Sequence, residues 1–339
     1  MAQFHAENER IKRRYLGWMK EADGKDESTL DQVAAFLRDF EMALGCKPFK
    51  AFHRDWARRY KTHLDKCRHH RTGKPLSLTT RDARLRQVKA FFKWLASQPG
   101  YKSRVSFADV EYFNNTAKDA RAAHAQRPIP YPSLEQCAHA FRQMPSDTET
   151  ERRDRAIFAA LMLTGARDGA LASLRLRHVD LAEGKIIQDG REVRTKGGKS
   201  FETWFFPVDQ MYRECFEDWV RELREKRLHG PADALFPKVT IARTAQGFAN
   251  GGLSREPYAN AQTIRDVIKT AFRNGGMEEF TPHSFRKTLA FLGDGVCDTM
   301  EARKAWSQNL GHEHLATTVS AYMPVSRERQ KFLISNLSS

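Results

Sequence analysis

The stretch "RPIPYPS", Arg127 to Ser133, sets three prolines at alternate positions, Pro128, Pro130 and Pro132. Proline donates no backbone hydrogen bond and holds the residue before it extended, so neither a helix nor a central strand runs through such a segment. From Asn114 onward, the residues before it also lack periodic apolar content. A chain of 339 residues broken in this way is expected to fold as two domains. The expected boundaries are an N-terminal extension over 1–25, a helical domain over 26–115, a linker over 116–132, and a second domain with a C-terminal tail over 133–339.

Charge narrows the choice of partner. The chain carries 57 Lys and Arg against 42 Asp and Glu, a net charge of +15. Such an excess favours a polyanion, because neutralised phosphates release condensed counterions. DNA, RNA and anionic membrane share that property. No membrane span is expected, since the longest apolar run, "AIFAALML" from Ala156 to Leu163, is far short of the roughly 20 residues a spanning helix needs. The opening "MAQFHAENERIKRRYLGW" holds no apolar signal region. Five scattered cysteines, without a C-x-x-C, fit a reducing cytoplasm rather than a disulfide framework.

The charge is unevenly placed. Between Lys50 and Lys89, thirteen basic residues meet only Asp55, Asp65 and Asp82. A one-signed block inside a foldable segment suits a surface that follows phosphates. Its candidate DNA contacts are Arg58, Arg59, Lys61, Arg81, Arg84, Arg86 and Lys89. The flanking segments are helical by pattern. "STLDQVAAFLRDFEMALG" sets Leu30, Val33, Phe36, Leu37, Phe40 and Leu44 at helical spacing, opens on Ser28 with Asp31 as a capping pair, and closes on Gly45. "TTRDARLRQVKAFFKWLAS" does the same with Leu85, Val88, Phe91, Phe92 and Leu95. In "HLDKCRHH", His63, Cys67 and His70 have a chelating spacing, but no second ligand pair accompanies them and the surroundings are basic. A DNA-facing surface is the better account, and no metal is expected.

The second half reads as mostly helical with one β-element, "GKIIQDGREVRTKGGKSFETWFFPV", built around Asp189-Gly190 and Gly197-Gly198. Four basic islands recur along it. The first is "LTGARDGALASLRLRHVDL", in which Gly165 ends a helix and Arg167 begins the next element. The second is "RTKGGKS", with Lys196 beside a glycine turn and Lys199 as its rival. The third is "TPHSFRKTLAF", in which His283 and Arg286 share a helix face. The fourth is "LGHEHLATTVSAY", with His312 and Tyr322.

Taken in order, these islands resemble the boxes of the tyrosine recombinase (phage integrase) family. "TGARDGALASLRLRHVD" looks like its first arginine box, "TKGGKS" its lysine turn, "HSFRKT" its H-x-x-R box and "LGHEHLATTVSAY" its closing His-Tyr box. The N-terminal helices look like its core-binding domain. The resemblance implies a mainly α fold with a small β-sheet: an all-α core-binding domain and a mixed α/β catalytic domain. It also implies a metal-independent enzyme without cofactor that cuts and rejoins double-stranded DNA, working as a homotetramer on two sites, such as the integrase of a mobile element.

The chemistry that such a reaction needs matches the residue types. A tyrosine, here Tyr322, attacks the scissile phosphorus and splits one hard step into two through a covalent 3′-phosphotyrosine. Arg167 and Arg286 present planar donor forks to the non-bridging oxygens. Lys196 protonates the leaving 5′-oxygen, His283 takes the tyrosine proton, and His312 donates to the phosphate or assists. Two positions depart from the family. Ala170 stands where an acidic residue is usual, with Asp168 offset by two, and Lys287 stands where His is frequent. A type IB topoisomerase or a hairpin telomere resolvase would use a similar residue set. A catalytically inactive DNA-binding module is the reading from a different class.

Overall fold

Two of the segments with helical apolar spacing form the centre of the N-terminal half. In a computed structural model that describes residues 4–69, 72–124, 130–244, 247–313 and 327–336, the chain divides into two units, Met1–Arg127 and Pro128–Ser339. Of the alternating prolines, Pro128 lies outside the described residues.

The first unit consists of helices α1 (Ala6–Glu21), α2 (Glu27–Ala43), α3 (Arg54–Lys66), α4 (Leu78–Ala96), the short α5 (Phe107–Val110) and α6 (Ala117–His124). Its core is aromatic. Phe40, Phe49, Phe52, Phe91, Phe92 and Phe113 are buried together, with Phe52 stacked on Phe92 at 4.1 Å between ring centroids. Rings of this size bury 150–250 Å² each, which lets a small helical unit close a core.

Three local expectations are corrected here. The segment expected as an N-terminal extension forms α1, whose Ile11, Tyr15 and Met19 enter the core. Its many charges mask that stripe in the sequence. A buried network reinforces the docking: Asn8 donates to Glu41 at 2.8 Å, and Lys12 pairs with the same carboxylate at 2.6 Å. The first half of the expected linker forms α6, fixed to α4 by a hydrogen bond from Thr79 Oγ1 to the Ala123 carbonyl at 2.8 Å. Finally, α2 is capped by Asp26, which accepts from the Thr29 N–H at 2.7 Å, rather than by Ser28.

In the second unit, α7 (Leu134–Arg142) leads to α8 (Glu149–Thr164), which contains the "AIFAALML" run. Every residue from Ala156 to Leu163 is buried. A helix that is apolar all round must be surrounded, and α10 (Gln210–Arg221), α11 (Gln262–Asn274) and α12 (Pro282–Val296) pack against it, after the short α9 (Asp168–Leu171). Strands β1 (Val179–Asp180), β2 (Lys185–Gln188) and β3 (Phe201–Trp204) form an antiparallel sheet in that order, with Gln188 opposite Phe201. Residues 189–200, with Lys196 and Lys199, therefore form the loop of the β2–β3 hairpin.

A second hairpin, β4 (Val239–Thr244) with β5 (Gly247–Leu253), was not expected from the sequence. Its glycine-rich second strand, "GFANGGL", reads as loop. The unit continues through α13 (Met300–Asn309) and ends in α14 (Arg327–Ser335), on which Phe332 and Ile334 are exposed. The fold is mainly α with small antiparallel sheets, as expected.

Candidate active site

Two helix ends create the centre of the site. Helix α8 stops at Gly165, which takes a left-handed conformation at φ 56°. A Cβ there would meet Leu310 Cδ2 at 2.9 Å and Leu289 Cδ1 at 3.0 Å, so both backbone and space require glycine. Helix α13 ends in a Schellman motif. The Gly311 N–H bonds to the Gln308 carbonyl at 2.7 Å, and the His312 N–H to the Ser307 carbonyl at 3.1 Å. Gly311 has φ 71°, and a Cβ on it would meet the Phe201 ring at 2.7 Å. The Leu-Gly-His spelling is thus a helix stop that delivers His312 to a fixed place.

Arg286, on the first turns of α12, occupies the space between those ends and is only 2% exposed. Its guanidinium donates to the carbonyls of Gly165 and Leu310, and through Nη2 to His312 Nε2 at 2.8 Å. The negative ends of two helices thereby face a buried cation, which offsets its desolvation. A guanidinium only donates, so His312 Nε2 accepts and the ring proton sits on Nδ1. Burial, followed by the charges of Arg286, Arg167 and His283, drops the His312 pKa to about 4. The imidazole is therefore neutral near pH 7.

Arg167 starts α9, directly after the α8 stop. It is half-buried, and its side chain makes no hydrogen bond or ion pair with another described residue. The neighbouring Asp168 carboxylate is engaged by Arg265 Nε at 2.5 Å. Ala170, at the position where the family usually has an acid, is buried in the core. His283 is exposed at the start of α12. Partial desolvation, then the Arg286 and Arg167 charges, hold its pKa below the ordinary imidazole value. Lys287 is buried, and desolvation lowers its pKa. The charges of Arg286 and Arg167 thus reach both imidazoles, and Arg286 and His312 are in direct contact. Tyr322, like His314, lies outside the described residues.

Lys196 is placed differently. It is exposed on a tight turn, Lys196–Gly198, inside the β2–β3 loop, whereas Lys199 is ion-paired with Glu313. The sequence reading missed what anchors this loop. Arg194 donates to the carbonyls of Ala172, Tyr258 and Ala259, and its N–H bonds to Ser173 Oγ at 2.9 Å. His178 Nδ1 accepts from the Arg175 N–H at 2.9 Å, so its Nε2 carries the proton and donates to Glu192 at 2.8 Å. Asn309 ties β3 to α13. Its side chain accepts from the Trp204 N–H at 2.8 Å and donates to the Trp204 carbonyl at 2.9 Å. Nothing in the local sequence marks these long-range partners.

The candidate DNA contacts of the first unit are mostly engaged within the protein. Arg58 pairs with Asp55, Arg81 with Asp65, Arg84 with Asp39, Arg86 with Asp82 and Lys89 with Glu111, while Lys61 donates to the Asn114 carbonyl. Arg59 is exposed and has no ion pair with another described residue.

Known proteins resemble this chain in sequence and in fold. A tyrosine recombinase XerC from Staphylococcus haemolyticus (strain JCSC1435) is 27% identical over 201 residues, covering 58% of this chain and 57% of the relative. Across three such recombinases the chain spans 46%, 50% and 57% of the relative's length, about half. Among solved structures, a lambda integrase dimer bound to a COC′ core site shares the fold with a TM-score of 0.64 and 14% identity, over 93% of this chain and 95% of that one. The Tn1549 transposon integrase in complex with transposon right end DNA gives a TM-score of 0.56 and 17% identity, over 97% and 99%. Residues 134–329 match the phage integrase family, a match that takes in the α8 stop, the buried Arg286 and the Gly-His turn, and the chain belongs to that family.

Proposed function

We propose that this protein is a site-specific DNA recombinase that cuts and rejoins duplex DNA through a covalent 3′-phosphotyrosine on Tyr322. The observation that carries the reading is the convergence of Arg167, His283, Arg286 and His312 around two helix stops. Their chemistry suits a phosphodiester. Arg286 and Arg167 hold the non-bridging oxygens, and preorganised donors of that kind typically account for 10²–10³-fold of rate each. His283, neutral near pH 7, accepts the tyrosine proton. Lys196, on its exposed turn, protonates the leaving 5′-oxygen. His312 orients Arg286 and carries a proton on Nδ1.

In this reading the partner is double-stranded DNA, the active form is a homotetramer on two sites, and the host is a mobile element. The net charge of +15 and the DNA-bound neighbours of similar fold support the DNA partner. The core-binding role falls to the helical first unit, with Arg59 the most available of its candidate contacts.

The test is to incubate the protein with labelled duplex DNA from its own genomic surroundings in the presence of chelator, and to quench with detergent. The reading expects a covalent protein–DNA adduct from the wild type and none from Tyr322→Phe. Tight binding without any adduct from the wild type would instead favour an inactive DNA-binding module.

A further inference from the structure

Away from the catalytic cluster, the first unit gathers three metal-ligating side chains from α2 and α3. His63 Nε2 lies 3.2 Å from Cys67 Sγ and 3.5 Å from Asp39 Oδ1, and the three donor atoms all fall within 4.8 Å of one another. We propose that Asp39, His63 and Cys67 form a binding site for one divalent cation of the zinc class, with solvent completing the coordination shell.

The geometry fits that ion. Ligands about 2.0–2.3 Å from a tetrahedral zinc lie roughly 3.5 Å apart, and both measured separations are close to this. The helix supplies two of the donors: His63 sits in the last turn of α3, and Cys67, one residue past its end, brings its thiol to the imidazole Nε2. The chain has already positioned the third. Asp39 Oδ2 accepts from the Tyr60 hydroxyl at 2.8 Å and from Arg84 Nη1 at 2.9 Å, which fixes the carboxylate with Oδ1 beside His63. The His63 ring also stacks on Tyr60, with 15° between planes. Outer contacts of this kind orient ligands in metal sites.

The donor set selects the metal. Imidazole with thiolate and one carboxylate oxygen suits zinc and its neighbours, whereas calcium and magnesium demand oxygen shells. A thiolate and a carboxylate balance a dication, the thiol proton passing to solvent on binding. Arg84 and the surrounding basic stretch oppose a cation, so affinity is lower than in a site with four protein ligands. The ion would join α2 to the end of α3, where the chain enters the basic turn closed by the Arg68–Pro75 bridge. In the sequence, His63, Cys67 and His70 share a chelating spacing but lack a second ligand pair, and no metal is expected from them. His70 lies outside the described residues, and Asp39 provides a ligand that only the fold brings near.

The site is tested on the full-length protein, stripped with chelator, dialysed and titrated with cobalt(II) as the spectroscopic probe, then with zinc(II). The proposal expects one equivalent of cobalt to give a thiolate-to-cobalt charge-transfer band with intense, tetrahedral visible absorption, which zinc then bleaches. Cys67→Ser removes the charge-transfer band. Asp39→Asn weakens binding by at least the roughly 10–100-fold that loss of an outer contact to a ligand costs, with circular dichroism confirming that both variants fold. A band that persists in Cys67→Ser would overturn the proposal, as would no band from the folded wild type. Either outcome would leave the two contacts as an ordinary hydrogen bond and ion pair.

Discussion

Arg286 donates through Nη2 to His312 Nε2 across 2.8 Å, and the same guanidinium bonds the carbonyls that end α8 and α13. One side chain therefore holds the first arginine box, the H-x-x-R box and the Gly-His turn in register. Lysine would keep the charge but not the fork. Arg286→Lys is expected to lower DNA cleavage by about 10²–10³-fold. It should also destabilise the second unit by about 1–3 kcal/mol through carbonyls left without donors. Cleavage assays and urea midpoints measure the two effects separately, and retained DNA binding would show that the first unit is unaffected.

His312 makes stability depend on pH. Its folded pKa of about 4 lies below the ordinary value of 6.5. The unfolded chain therefore binds the proton more readily, and the stabilising contribution is complete above pH 6.5 and lost as pH falls towards 4. The full loss is of the order of 3 kcal/mol. His283 is shifted in the same direction. Denaturant midpoints between pH 7 and pH 5 should fall more steeply for the wild type than for His312→Gln.

Gly311→Ala tests the helix stop. The left-handed backbone costs a non-glycine residue about 1–2 kcal/mol, and the added Cβ would press on Phe201 at 2.7 Å. The expected result is a fall in thermal midpoint together with a loss of cleavage larger than the stability change explains, because His312 is carried on the displaced turn.

Asn309→Ala removes two hydrogen bonds to the Trp204 backbone. Near the surface this should cost only about 1 kcal/mol of stability. The β2–β3 hairpin would lose its tie to α13, so cleavage should fall while DNA affinity stays near the wild-type value in a gel-shift titration.

The role proposed for Lys196 can be tested chemically. A DNA substrate with sulfur in place of the 5′-bridging oxygen expels a thiolate, which needs no proton from the enzyme. Lys196→Ala should be slow on ordinary DNA and restored on the sulfur substrate. Lys199→Ala, which removes an ion-pair partner of Glu313, should show no such selective rescue.

Where pattern and position coincide, the sequence is a good guide. The all-apolar run of α8, the glycines at its end and before His312, and the Gly197-Gly198 turn each express a local requirement of burial or backbone. Charge hid α1, because its three apolar anchors are spread among basic and acidic residues. Spacing alone placed Arg286 on a helix face but left open whether that face met solvent, and only the junction of α8 and α13 makes it interior. Arg194, Asn309 and Asp39 act through partners that are distant in sequence or on neighbouring helices, for which one sequence carries no local signal.

The most direct measurement is to digest the trapped protein–DNA adduct and identify, by mass spectrometry, the side chain that carries the nucleotide. The account predicts a phosphotyrosine at Tyr322, formed with chelator present and lost in Tyr322→Phe. A nucleotide attached to any other residue, or an adduct that survives Tyr322→Phe, would contradict it.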